Sequence, residues 1–318
     1  FCKLWEIFNT IRGLLPNRKK IKTFHLAEAP GQWIHATHYY YYTKKSNASE
    51  YEWRANSLNP YNAQNIEKYG KVFGDDYGYL KRYKNRWLWG VDNTGDITSS
   101  DNLKWYRQYA HEWSKSQPID LVTGDAGIPS DDPNVFQKIE LSQICMVAGI
   151  SSVGGNCIIK HFLPYQRKVP ITYYANGNFM CTMFLYYLMF EQMNLMKPLT
   201  SNPNSGEFYV VCKGFRGIRD SDFDKLVNVV ENYKVNQCIF PLDDIPEEFT
   251  IQVVDFVNKL ITITTDNSEL GNLLMTCFLK QDPVIKEKTQ CDKYLSPKHI
   301  DEIQKVRFQE WITKMKFE

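Results

Sequence analysis

The sequence predicts an open α/β fold, a mostly parallel sheet with helices on both faces. Helical and strand-like segments alternate over the first two thirds of the chain, as they do where parallel strands are joined by helical crossovers. Three short apolar strands each run out into a polar group: Glu28, Asp125 and Lys160. A turn-rich connector, Ser201 to Gly206, separates two strand-like segments, 195–200 and 207–212, which predicts an antiparallel C-terminal hairpin strand.

The elements follow in order. Leu4, Ile7, Phe8 and Ile11 recur at helical spacing. Thr23 to Ala27 reads as a buried strand, turning through residues 28–31 into a helix from Gln32 to about Tyr42. Residues 44–80 are polar and asparagine-rich and match neither period. A helix over 102–115 leads to a strand over 119–123, which ends in Gly124-Asp125-Ala126-Gly127. The next helix, 135–148, carries Phe136, Ile139, Leu141, Ile144 and Val147, and the strand after it, 156–159, ends at Lys160. The apolar run 179–190 spans twelve residues, which predicts a buried helix, since a membrane span needs about 20. Beyond the hairpin, 221–236, 247–259, 267–279 and 297–314 read as helices. No repeat or linker interrupts the chain. The expectation is one domain, with a core over 1–216 and a helical completion and C-terminal extension over 217–318.

A net charge of +2 on 318 residues excludes whole-chain attraction to nucleic acid, so such a site must come from local clustering. Two basic runs exist, Arg18-Lys19-Lys20 with Lys22, and Lys81-Arg82-Tyr83-Lys84 with Arg86. Each reads equally as a phosphate contact or a solvated loop. The eight cysteines contain no C-x-x-C pair, so neither a zinc site nor a redox motif is indicated. Reduced thiols suit a cytoplasmic compartment, where the triplet Asn47-Ala48-Ser49 has no role as a glycosylation signal. The chain begins at Phe1 rather than Met, as expected of a domain taken from something longer.

In an open α/β sheet, ligands bind beyond the carboxyl ends of the strands. Glu28 with Gly31, Asp125 and Lys160 stand at such ends. Glu207 opens an antiparallel strand, so it falls on the same side. Singly each has a plain structural reading, a tight turn, a helix cap or a surface lysine. Their conjunction predicts one pocket.

The residues around these ends resemble a known family. His25-Leu26-Ala27-Glu28-Ala29-Pro30-Gly31-Gln32-Trp33 is similar to the first cofactor loop of the FtsJ-like RNA ribose 2′-O-methyltransferases. Asp120 to Gly127 resembles their fourth-strand motif, and Gly154 to Lys160 their glycine-led strand ending in a catalytic lysine. Lys197-Pro198 to Ser201, then Gly206 to Val211, resembles their terminal hairpin. The resemblance runs over about residues 1–216 and is nearest to the mRNA cap methyltransferases of large cytoplasmic DNA viruses. It implies a Rossmann-like methyltransferase sheet, S-adenosyl-L-methionine as cofactor and capped mRNA as substrate, with no metal. Membrane association is not expected; a protein partner or an N-terminal segment is. Location would be cytoplasmic, in the host cytoplasm or virion for a viral protein.

By the same resemblance the catalytic set is Lys3, Asp125, Lys160 and Glu207. Lys160 would be the base or hydroxyl-orienting group, Asp125 and Glu207 its aligners, and Lys3 an electrostatic partner. Glu28, Ala29, Pro30, Gly31, Gln32, Trp33, Asp96, Ile97 and Asp125 would hold the cofactor, Asp96 accepting from the adenine amino group. One departure is that Gln32 stands where the family has a second glycine. Lys213 and Arg216 follow the hairpin strand and read as RNA-phosphate ligands near the 2′-hydroxyl, or equally as a solvated turn. A degenerate methyltransferase fold acting as an RNA-binding or assembly subunit is the alternative. A nicotinamide enzyme is disfavoured, because the first loop lacks G-x-G-x-x-G. His35 and His38 have no third ligand in view, and Asp243-Asp244 with Glu247-Glu248 reads as a solvated turn and helix start.

Overall fold

In Glu50-Tyr51-Glu52-Trp53-Arg54-Ala55 charged and apolar residues alternate, the period of a strand with one buried face. This strand, absent from the sequence prediction, pairs parallel with the first strand from Glu50 opposite Lys20 to Ala55 opposite His25. The computed structural model describes residues 1–70, 74–127, 133–163, 177–234 and 238–280, with positions 305, 306, 309, 311–313 and 315 besides. The sheet is made of β1 (Lys20–Leu26), β2 (Glu50–Asn56), β3 (Trp87–Leu88), β4 (Leu121–Gly124), β5 (Asn156–Phe162), β6 (Phe190–Met196) and β7 (Glu207–Phe215). Their order is β3-β2-β1-β4-β5-β7-β6. The first five are parallel, and β7 enters antiparallel between β5 and β6. This is the sheet expected of a Rossmann-like methyltransferase. Strand order reverses between β1 and β4, which opens a crevice at their carboxyl ends.

Helices α1 (Cys2–Thr10) and α2 (Gln32–Lys44) cover one face of the sheet. The connection from β2 to β3 carries α3 (Ala63–Tyr69) and α4 (Tyr79–Arg82). The other face is covered by α5 (Ser100–Ser114), α6 (Pro133–Ile150), α7 (Gly177–Met189), α8 (Asp220–Glu231) and α9 (Glu247–Lys280). Side chains alternate across the sheet. Ile158, Tyr209 and Val211 face α1 and α2, while Cys157, Ile159, Phe208 and Val210 face the larger helical layer. By that alternation Lys160 and Glu207 fall on the α1/α2 face.

A nine-residue helix such as α1 is not stable alone. Leu4, Trp5, Ile7 and Phe8 are each at most 1% exposed, and burial of each stabilises its docking by about 1.5–3 kcal/mol. Glu6, 2% exposed, adds a polar tie. Its carboxylate accepts from the backbone N–H groups of Leu199 and Thr200 at 2.7 and 3.1 Å. These contacts set where Lys3 can stand.

Several boundaries differ from the sequence reading. Lys160 lies inside β5 rather than at its end, because β5 continues to Phe162 opposite Glu207. The first hairpin strand is 190–196 and leaves α7 without a break, so residues 197–200 are connector. Helices expected at 247–259 and 267–279 form one helix, α9. The expected helix at 297–314 lies mostly outside the described residues, although Trp311 and Met315 are buried against the α1/α2 layer. Three of the four residues of the first basic run are taken up within the protein, while Lys19 is exposed. Arg18 pairs with Asp120 at 2.5 Å and Lys20 with Glu50 and Glu52 at 2.9 and 2.7 Å. Lys22 is 2% exposed and donates to Trp113 O and Ser116 Oγ at 2.8 and 2.9 Å.

Candidate active site

The loop from β1 to α2 is wired by its own backbone and by Glu28. Glu28 Oε1 accepts the N–H groups of Trp33 and Ile34 at 2.7 and 3.0 Å, orphan donors of the first turn of α2. The carboxyl is 5% exposed, and burial pushes its pKa up to about 8 against those two hydrogen bonds. Glu28 N–H donates to Asn56 O at 3.0 Å, and Ala29 N–H to Ser57 Oγ at 2.8 Å. Gly31 has φ +116°, and a Cβ there would lie 2.9 Å from Tyr79 Cγ, so this turn requires glycine. Gln32 is exposed, its amide donating to the Tyr77 hydroxyl at 3.0 Å.

Asn56 ties this loop to the second half of the crevice, its amide donating to Gly95 O at 3.0 Å. A Cβ at Gly95 would meet Ser57 O at 1.8 Å, so the two backbones touch where only glycine fits. Next to it, Asp96 Oδ1 accepts from Thr98 N–H and Oγ1–H, both at 2.8 Å. Ile97 is 7% exposed. Glu28 and Asp96 thus border the carboxyl ends of β1 and β2 from two loops that share Asn56.

On the other side of the crevice the four ionisable residues come together from four elements. Lys160 Nζ is 3.1 Å from Asp125 Oδ1 and donates to Asp125 O at 3.0 Å. Lys3 Nζ is 2.7 Å from Glu207 Oε1. The Tyr209 hydroxyl joins the two pairs, 3.2 Å from Glu207 Oε1 and 3.5 Å from Asp125 Oδ1. Ser201 Oγ–H donates to Glu207 Oε1 at 2.7 Å. Burial raises the pKa of Glu207, but the hydrogen bonds from Lys3 and Ser201 and the charges of Lys3 and Lys160 outweigh it, leaving it below its ordinary value. Burial drives the Tyr209 pKa far upward, reinforced by Asp125 and Glu207, so its hydroxyl stays a proton donor at ordinary pH.

Tyr209 and Ser201 were not singled out in the sequence. Tyr209 had a readable signal, since it stands two residues from Glu207 on a strand and so shares its face. Ser201 had none, because its hydroxyl reaches Glu207 only through the path of the connector.

Other predicted positions lie apart from this group. Lys213 and Arg216 sit at the far end of β7, six and nine residues beyond Glu207, and a strand rises about 3.4 Å per residue. Lys213 Nζ lies 3.5 Å from Arg12 O, and Arg216 donates to Leu188 O at 3.1 Å. The antiparallel course of β7 carries them to the opposite end of the strands, away from the carboxyl ends of β1, β4 and β5. His35 and His38 are exposed on α2, packed against aromatic rings. Tyr40 and Tyr41 are buried in the α1/α2 layer and Tyr42 is exposed.

A model of the FtsJ-like methyltransferase family matches residues 1–215. The chain is 33% identical over 269 residues to an uncharacterized protein, L511, of Acanthamoeba polyphaga mimivirus, covering 82% of this chain and 31% of that one. It is 28% identical over 264 residues to the cap-specific mRNA (nucleoside-2′-O-)-methyltransferase 2 of Mus musculus, covering 78% and 32%. The chain therefore spans about a third of the length of these relatives. Among solved structures it is similar to spermidine synthase from Thermotoga maritima, with TM-score 0.36 and 13% identity over 82% of this chain and 71% of that one. Among the described residues no helix is long and apolar enough to cross a membrane.

Proposed function

The chain belongs to the FtsJ-like methyltransferase family, and from that premise we propose that it is an S-adenosylmethionine-dependent RNA ribose 2′-O-methyltransferase acting at the mRNA 5′ cap region. One observation carries the reading. Two lysine–carboxylate pairs, Lys160–Asp125 and Lys3–Glu207, lie on one sheet face beside the β1–α2 loop and share the Tyr209 hydroxyl. The cap preference is supported by the cap-specific relative. Kinship to the FtsJ-like methyltransferase of African swine fever virus, and a place in the host cytoplasm or virion, belong to the same proposal. The mimivirus relative supports a viral origin. A protein partner belongs to it too.

The donor set fits the cofactor. Glu28, Asp96 and Asp125 border the crevice, and S-adenosylmethionine offers them a sulfonium cation, an amino group and hydroxyl donors. Glu28 to Trp33, Asp96, Ile97 and Asp125 would hold it. When bound, the cofactor supplies an electrophilic methyl group. A ribose hydroxyl is a poor nucleophile at neutral pH, so the protein must orient it and handle its proton. Lys160 is the group for that task. Two oxygens of Asp125 fix its ammonium, and it is 9% exposed at the crevice edge. Glu207 holds Lys3 nearby, which places a second positive charge where the alkoxide develops.

Calorimetric titration with S-adenosylmethionine, beside an Asp96→Ala control, tests the cofactor assignment. Transfer of a labelled methyl group to capped RNA, lost in Lys160→Ala with the fold retained by circular dichroism, tests the chemistry. Saturable binding with no transfer to any capped RNA would sink the enzyme reading in favour of a scaffold. Turnover in Lys160→Ala would sink the role of that lysine.

A further inference from the structure

Two basic runs that look alike in the sequence end in opposite situations. Arg18, Lys20 and Lys22 are taken up by Asp120, Glu50, Glu52 and backbone or hydroxyl oxygens. Lys81, Arg82, Lys84 and Arg86 stand in a stretch with no acidic residue, and none has an ion pair or side-chain hydrogen bond among the described residues. Lys81, Arg82 and Lys84 are exposed. Arg86 is held without a counter-ion, its guanidinium 5.2 Å from the Trp53 ring centre and 5.4 Å from that of Tyr83. Stacking of this kind leaves its N–H groups for an outside acceptor.

An aromatic row connects this stretch to the Lys3 side of the active site. Phe1, two residues from Lys3, lies 5.4 Å from the His35 ring. His35 Nδ1 is 3.5 Å from the Tyr79 hydroxyl, and the Tyr79 ring is 5.5 Å from that of Tyr83. His35 is exposed and Tyr77 is 51% exposed beside it, bonded to Gln32. Cations with no ion pair among the described residues, beside the exposed Tyr77 and His35 rings, are what a single-stranded nucleic acid needs: phosphates meet the charges and bases the rings. An acidic protein surface would use the charges and leave the rings without a role.

We propose that Lys81, Arg82, Lys84 and Arg86, with Tyr77 and Tyr79, form a track for single-stranded RNA that leads away from the active site. The proposal rests on the reading of the chain as an RNA methyltransferase and replaces Lys213 and Arg216 as the phosphate contacts.

The test is an anisotropy titration of a labelled single-stranded RNA of roughly 20 nucleotides, at salt from about 50 to about 200 mM. Wild type is compared with K81A/R82A/K84A and with Lys213→Ala, each checked for its melting temperature. Each lost phosphate contact removes about 0.7 from the slope of log affinity against log salt, so the triple variant is expected to lose about 2 in slope and roughly tenfold or more in affinity. Lys213→Ala is expected to keep the wild-type slope. An unchanged slope in the triple variant overturns the track, as does an equal loss in Lys213→Ala. Absence of RNA binding by wild type overturns it as well and leaves the stretch to an acidic protein partner. Methyl transfer by wild type, measured in parallel, separates the two readings: binding through the track with no transfer sinks the enzyme assignment alone, and transfer with an unchanged slope sinks the track alone.

Discussion

The Tyr209 hydroxyl hydrogen-bonds Glu207 Oε1 at 3.2 Å along one face of β7. The Tyr209 hydroxyl oxygen also lies 3.5 Å from Asp125 Oδ1 on the far side of β5. A single O–H donates to one acceptor at a time, so the Tyr209 proton serves Glu207 at the shorter distance or Asp125 at the longer one, and each carboxylate in turn holds a lysine.

Tyr209→Phe removes that bridge without changing the ring that packs on Trp33 at 5.6 Å. A hydrogen bond to a charged group contributes about 1.5–3 kcal/mol. Single-turnover methyl transfer is therefore expected to slow by roughly tenfold or more, with cofactor affinity within a factor of about 2. Unchanged single-turnover rates would show that the lysines are placed without Tyr209.

Lys3→Met should make the protein more sensitive to acid. Glu207 in the folded state lies below its ordinary 4.5, so its contribution is present above pH 4.5 and is lost as pH falls through the folded value. Without Lys3 the folded value rises and the loss begins at higher pH. Lys3 is 32% exposed, so solvent screening limits the effect to about 1 kcal/mol or less. Urea midpoints measured between pH 3 and pH 6 check it; identical acid limbs would rule it out.

Glu28→Gln tests the buried carboxyl in the opposite direction. Its folded value, about 8, lies above the ordinary 4.5. Stability from this group is full below pH 4.5 and declines as pH rises toward 8. Glutamine keeps an oxygen for the Trp33 and Ile34 N–H groups and does not titrate. Melting temperatures of the variant are expected to vary less between pH 5 and pH 8 than those of the wild type, while cofactor affinity falls. An equally steep pH dependence in both proteins would contradict the burial of Glu28.

Gly31→Ala brings a side chain into left-handed backbone and against Tyr79. Strain of this kind costs about 1–3 kcal/mol. A lower denaturation midpoint and weaker cofactor binding are expected together. A stable variant with normal affinity would mean that the loop can be rebuilt.

Much of the site was legible because its residues sit at places where chemistry and local geometry coincide. Gly31 stands in a tight turn where left-handed backbone and the Tyr79 ring exclude a side chain, and Asp125, Lys160 and Glu207 lie within or beside short apolar strands. The alternation of β2 was present in residues 50–55 but masked by its polar surroundings, and two-residue β3 is too short to give a period. Lys213 and Arg216 are near Glu207 along the chain, yet the extended strand carries its two ends far apart, a distance the sequence order does not display.

The sequence by itself determined the α/β alternation, the hairpin and the loop after β1, because each depends on local period or turn chemistry; Asp125, Lys160 and Glu207 were marked by their places at strand ends, and Lys3 by family resemblance alone. Only the tertiary structure decided that Lys3 meets Glu207, that Tyr209 bridges Glu207 and Asp125, and that one basic run is neutralised while its twin is not. Those outcomes depend on which groups from distant segments stand within about 3 Å of one another, and that distance is set by how α1 packs and how β7 enters the sheet.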